Sequence, residues 1–123
     1  MNPQLWQAVQ QGLTCDITTI GRKSGQPRRI EIWYFVIEGQ VYLSGTPGSR
    51  DWYANLVEHP ACTFHVKEGA YADLPASARP ITDTATRRRI MQQIMEGNSY
   101  FRGGDLNEWI ERSPLVQIVF GDV

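Results

Sequence analysis

The sequence predicts a mainly β fold with added helices (α+β), built as a small antiparallel barrel of about six strands. Three observations lead there. Short stretches rich in β-branched and aromatic residues recur along the chain, divided by turns that carry Gly or Pro. The early turns are too short for the crossover that parallel strands require, so neighbouring strands must run antiparallel. Helical periodicity is confined to a short opening segment, a short middle one and a late pair.

Each element has a local reason. Asn2 is placed to cap a first helix with Pro3 at its first position; Leu5, Trp6 and Val9 share one side and Gly12 ends it. Residues 14–20 read as a strand through Cys15, Ile17 and the threonines, and residues 21–27 form a turn. A second strand over 28–38 is apolar on both faces through its middle, from Ile32 to Ile37. One face serves a core, so the other calls for a helix, a ligand or a second subunit, and a homodimer is one expectation.

Glu38, Gly39 and Gln40 turn the chain tightly into a strand over 41–44. A flexible loop over 45–49 leads into a helix over 51–58, with Trp52 and Leu56 inward and Ser49 or Asp51 as cap. Pro60 stops that helix, and residues 61–67 alternate as a strand. The extended stretch over 70–81 holds Pro75, which implies an edge or a bend. Thr82 and Asp83 start a helix running to Gly97, with Ile90, Met91, Ile94 and Met95 inward and Arg87, Arg88 and Arg89 outward. A helix over 106–111 and a strand over 115–120 close the chain, and residues 1–123 are expected to form one domain.

Composition excludes several classes. Hydrophobic residues make up 41% and charged residues 20% of the 123, a globular balance. A net charge of -1 argues against a nucleic-acid binder. No apolar run reaches the roughly 18 residues of an integral membrane segment. The opening residues lack the pattern of an export signal, so a cytoplasmic location with Cys15 and Cys62 as free thiols is expected. His59 and His65 have no metal-binding spacing, and no nucleophile–base pattern or carboxylate pair can be read.

Two stretches carry chemistry. Arg22, Lys23, Arg28 and Arg29 crowd one turn with no acid before Glu31. Such charge repels itself and an anion relieves it: Arg offers a donor fork, Lys a point charge, and Ser24 and Gly25 further donors. In the second stretch, Ser44, Gly45, Thr46 and Gly48 are small enough for a flat ring to approach the backbone. The helix start beyond them offers free N–H groups. Trp52 either stacks on a ring or fills the core, and Asn55, on an inward face, requires partners.

Taken together, Thr18 to Arg28, the aromatic strand at Trp33 to Phe35, the glycine loop, and Trp52 to Pro60 resemble the deazaflavin-dependent nitroreductase family. The resemblance implies a split β-barrel, like that of FMN-binding proteins. It also implies binding of coenzyme F420, a 5-deazaflavin with a phosphate and an oligoglutamate tail. Arg22, Lys23, Ser24 and Arg28, with Gly25 in the same turn, resemble the family's tail and phosphate anchors. Ser44, Gly45, Thr46 and Gly48 resemble its ring loop, and Trp52 and Asn55 match helix residues beside the cofactor. Trp33 and Tyr100 fall where members contact substrate; Tyr100 is either a proton donor to the reduced acceptor or a surface aromatic.

There are departures. The loop before Trp52 is shorter than in the best-known branch. Pro47 stands in place of a lysine whose charge Arg50 replaces, Glu31 stands in place of a proline, and the late segment lacks spaced tyrosines. The implied activity is hydride transfer from reduced F420 to a small-molecule electron acceptor: a quinone, a nitro compound or an activated alkene. FMN is the alternative cofactor, although its single phosphate calls for less positive charge. A non-catalytic binder of a flavin-like or lipid-like ligand is the other reading.

Overall fold

The computed structural model describes every residue except 100, 102, 122 and 123, so Tyr100 lies outside the described residues. The elements follow in the order α1 (Pro3–Gln11), β1 (Thr14–Ile20), β2 (Pro27–Ile37), β3 (Gln40–Ser44), α2 (Asp51–Glu58), β4 (Ala61–Val66), β5 (Ala72–Pro80), α3 (Thr84–Gly97), α4 (Leu106–Arg112) and β6 (Leu115–Phe120). The strands close into an antiparallel barrel in the order β1-β2-β3-β6-β5-β4. Among the described residues, no helix is long and apolar enough to cross a membrane.

Local chemistry places the ends of these elements. Asn2 accepts from the Leu5 N–H, as its N-cap position requires, and the Asp83 side chain does the same for Thr86. The β2–β3 hairpin turns on Glu38 and Gly39, both at positive φ (54° and 75°), which matches the twist of the strands it joins. Glu68 pins the β4–β5 turn to the start of β1 by accepting from the Leu13 and Thr14 N–H groups and the Thr14 hydroxyl. Those bonds, led by the Thr14 N–H, hold the Glu68 carboxyl below the usual range.

Alternation on the strands divides two cores. Cys15, Ile17, Ile32, Tyr34, Leu43 and Phe64 turn into the barrel, with Val9 of α1 and Leu56 of α2 among them. Phe35 and Tyr42 turn outward and meet Ile90, Met91 and Ile94 of α3 and Trp109 of α4. The second apolar face of β2 is thus covered largely by the protein's own helices.

Two details, Arg87 and the α2 cap, differ from the sequence reading. Arg87 is buried rather than outward, donating to the carbonyls of Ile110 (2.6 Å), Ile81 (2.7 Å) and Ser113. It stands three and four residues before Ile90 and Met91, on the inward stripe; periodicity overrides charge here because helix and loop ends supply carbonyl partners. Pro75, expected at an edge or a bend, sits in the closed barrel just where the β5–β6 pairing stops. It pairs with Thr63 of β4, while the β5–β6 ladder begins only at Ala76, so its missing N–H goes unasked for on that side. The N-cap of α2 is Arg50, which makes no side-chain capping bond; neither Ser49 nor Asp51 caps the helix.

Arg87→Met leaves three buried carbonyls unpaired and is expected to lower stability by about 3 kcal/mol in urea denaturation. Alkaline pH is expected to act on the barrel interior. Burial pushes Cys15 and Tyr34 up to about 12 and Cys62 to about 11. The unfolded chain gives up those protons nearer 9.0 and 10.0, so above that range it binds fewer protons than the folded chain. Stability is therefore full below about pH 9 and falls as pH climbs toward 11 to 12, read as a falling urea midpoint.

Candidate functional site

From Pro27 to Trp33, β2 pairs with β1 alone; β3 joins it only at Tyr34 and ends at Ser44. The chain then leaves the sheet for the loop before α2, so one edge of β2 stays open. Two cavities lie along this opening. One, of about 480 Å³, is walled by the 21–28 turn, the open part of β2 and the first turns of α2. The other, of about 410 Å³, is walled by Trp33, Gly45, Arg50 and Phe101. Trp52, buried to 9% exposure, lines both, so it packs in the core and also forms a cavity wall.

The basic turn is organised from within. Gly21 donates to the Gln26 carbonyl (2.8 Å), and a Cβ on Gly21 would meet the Ser24 Oγ at 2.5 Å and force that hydroxyl to move. Gly25, at φ +69°, donates its N–H to the Gly21 carbonyl (2.8 Å); that N–H is spent and Gly25 is not the free donor expected. Ser24 Oγ accepts from the Gln26 N–H (3.1 Å), leaving its hydroxyl proton to donate. The turn therefore offers an anion its side chains, while the N–H groups of Gly21, Arg22, Gly25 and Gln26 are spent within the chain.

Those side chains divide in two. Asn55 Oδ1 accepts from the Arg22 backbone N–H (3.0 Å) and from Arg22 Nη1 (2.9 Å), while its Nδ2 donates to Thr19 Oγ1 (3.4 Å). Arg22 Nη2 also donates to Asp51 (3.2 Å). Arg22 is therefore fixed, and Asn55 has the partners its inward position demands. Lys23 and Arg28 are exposed at the groove with no ion pair among the described residues.

The glycine loop is shaped by Arg50. Its guanidinium donates to the Thr46 carbonyl (3.0 Å), Thr46 Oγ1 (2.9 Å) and the Ser49 carbonyl (3.3 Å). A Cβ on Gly45 or Gly48 would meet that guanidinium at 3.2 or 3.3 Å, and Gly48 has φ +131°. Gly48 is thus favoured by its backbone conformation, and at Gly45 a side chain would press on the Arg50 guanidinium. Ser44 is buried, and its hydroxyl donates to the Pro114 carbonyl (2.6 Å), holding β3 to the approach to β6.

The structure thus brings Arg22, Lys23, Ser24, Arg28, Trp52 and Asn55 to one groove, and Trp33, Ser44, Gly45 and Arg50 to the adjoining pocket. Thr46 bonds to Arg50 of that pocket's wall, while Gly48 lines neither cavity. Several wall residues escaped the sequence reading: Thr19, Ile30 and Asp51 in the groove, Glu31 and Phe101 in the pocket. Thr19 and Ile30 had a usable signal, lying on strand positions beside the basic turn. Phe101, buried against Phe35 and Trp109, had none, because only the fold carries it to Trp33. No cluster of metal-binding side chains occurs among the described residues.

A family model for F420H(2)-dependent quinone reductase matches residues 5–118. The chain belongs to that family. Solved structures show the same fold at low identity. A conserved hypothetical protein of Mycobacterium tuberculosis aligns over 99% of this chain and 82% of its own, with TM-score 0.78 and 20% identity. A protein described as an F420 reductase aligns over 94% and 92%, with TM-score 0.67 and 13% identity. An FAD-binding protein of Mesorhizobium loti aligns over 99% and 91%, with TM-score 0.68 and 12% identity.

As a member of the F420H(2)-dependent quinone reductase family, the protein is an F420-dependent oxidoreductase on the split β-barrel fold. The residues present fit coenzyme F420. Its phosphate and oligoglutamate tail is polyanionic, and the groove presents Lys23 and Arg28 with no acid partner among the described residues. Its flat ring calls for an aromatic-walled space, which the Trp33–Trp52 pocket supplies next to the groove.

Asn55→Ala removes the acceptor shared by the Arg22 backbone and guanidinium. It is expected to lower stability by about 2 kcal/mol and to loosen the basic turn. Thermal unfolding checks the first, and amide exchange at residues 21–26 the second.

Proposed function

We propose that this protein transfers a hydride from reduced F420 to a small quinone, with nitro compounds and activated alkenes as further acceptors. One observation carries the reading: across Trp52, a groove lined by unpaired cations adjoins an aromatic pocket open to solvent. When bound, the reduced deazaflavin supplies the hydride.

The chain's own residues do the rest. Lys23 and Arg28 hold the acidic tail, Arg22 presents the edge of a guanidinium already oriented by Asn55, and the Ser24 hydroxyl donates beside them. The α2 N-terminus, which has no side-chain cap, adds N–H groups toward an anion or a ring carbonyl. Trp52 separates tail from ring, and the Arg50-braced loop sets the far wall. Trp33, 42% exposed, bounds the acceptor side and excludes water from one face of it. Tyr100 is assigned the hydrogen bond or proton to the reduced acceptor. Residues 1–123 serve as one cofactor-binding domain. A homodimer is proposed on the exposure of Ile30 and Trp33 along the open part of β2, with a solution mass near twice 14.0 kDa as its test.

Titration with F420 and with FMN, followed by tryptophan fluorescence, tests cofactor choice. Lys23→Ala and Arg28→Ala are each expected to raise the Kd for F420 about tenfold, near 1.4 kcal/mol, without shifting the melting temperature. Consumption of reduced F420 with a soluble quinone then separates an enzyme from a binding protein, and Trp33→Ala is expected to raise KM for the quinone. Tight F420 binding with no turnover on any of the three acceptor classes would overturn the catalytic reading.

A further inference from the structure

Between α2, the start of α3 and the end of α4 lies a cleft of about 840 Å³ that shares only Arg50 with the walls of the cofactor site. Three guanidiniums line it, from Arg50, Arg87 and Arg112, against a single carboxylate, Glu111. Arg50 and Arg87 bond only to neutral oxygens. Arg87 is about nine-tenths buried and has no carboxylate partner among the described residues, so its charge is uncompensated where compensation matters most. Arg112 approaches Glu108 only to 3.9 Å.

The cleft also borders a polar group with nothing to bond. Ser113 lines it, and Ser113 Oγ is the buried side-chain oxygen that has no hydrogen-bond partner among the described residues. Around these groups the walls are apolar: Tyr53, Val57, Ile81 and Pro114, with Val57 54% exposed. Positive charge in excess, a spare hydroxyl and an apolar wall together suit an anion carried on an apolar body.

We propose that this cleft is a second ligand site, for a small molecule with a phosphate or carboxylate head and an aromatic or aliphatic body. The head meets Arg112 and, by displacing the atoms that bury it, the Ser113 hydroxyl; the body lies on Tyr53 and Val57. The Gly48 N–H donates to the Arg112 carbonyl (3.1 Å), which ties the cleft to the loop that Arg50 braces. Any effect of an occupant on F420 affinity must be returned in equal measure by F420 on the occupant.

Calorimetric titration of the full chain with phenyl phosphate, benzoate and inorganic phosphate tests the site. Saturable binding of phenyl phosphate or benzoate is expected, tighter than inorganic phosphate, and the tighter of the two identifies the head group. Arg112→Gln and Ser113→Ala should each weaken binding about fivefold or more, while Arg88→Gln, a charge removed outside the cleft, should not. Ser113→Ala should leave the melting temperature unchanged or raised, because it deletes an unpaired buried hydroxyl. Absence of saturable binding, equal affinity in all three variants, or inorganic phosphate binding as tightly as phenyl phosphate would overturn the proposal. So would one-for-one displacement by F420, which would make the cleft part of the cofactor site.

Discussion

Between Pro27 and Trp33, β2 bonds to β1 on one side and to no strand on the other, because β3 stops at Ser44. An open strand edge invites pairing with whatever is near, and a protein must cover it. Here α2, seated on β1 and β5 with Trp52 and Leu56 in the barrel core, faces that edge across a gap. A helix cannot lie as close to a strand edge as another strand would, so space is left between them. That space is the groove and its adjoining pocket, a consequence of two neighbouring strands having unequal lengths.

Charge is then partitioned around the opening. On the outer face of the barrel, cations and anions neutralise one another: Arg29 and Lys67 both bind Asp16, and Lys67 also reaches Glu31. Asp16 is held below the usual carboxylate range chiefly by its bond from Lys67. Nearby, His65 links Thr18 (2.7 Å) to Asp73 (2.6 Å), joining β1, β4 and β5 through side chains. The basic turn is built on the opposite plan. With Arg29 drawn off to Asp16, Arg22 is the one cation paired beside the groove, and its pairing to Asn55 and Asp51 serves to hold the turn still. Lys23 and Arg28 stand at the groove with no acid partner among the described residues, and a rigid turn lowers the entropy lost by groups that engage a ligand.

Arginine plays three separate parts in this small chain. Arg22 orients a turn, Arg50 braces a loop against two glycines, and Arg87 ties the ends of three segments from inside the second core. In each case the planar fork reaches two or more oxygens at once, an amide and a carboxylate for Arg22, which a lysine ammonium on a flexible stem cannot match. The last two parts were hidden from the sequence because a charged side chain on a helix or loop ordinarily reads as solvated.

The sequence by itself determined the strands, the turns and the ligand's charge. Alternation at Cys15, Ile17 and Thr19, the caps at Asn2 and Asp83, and the Glu38–Gly39 turn are local preferences that the barrel leaves intact. The run from Arg22 to Arg28 announced an anion because like charges concentrated in one turn repel. Tertiary structure alone decided which of these groups are free. Gly25 lost its N–H to the turn, Ser44 its hydroxyl to Pro114, and Arg50 came to lie beside Gly45 and Gly48. It also brought Phe101 beside Trp33 and opened the cleft at Ser113. Hydrogen-bond satisfaction and packing join residues far apart in the chain, and no local pattern records which distant partner a polar group will meet.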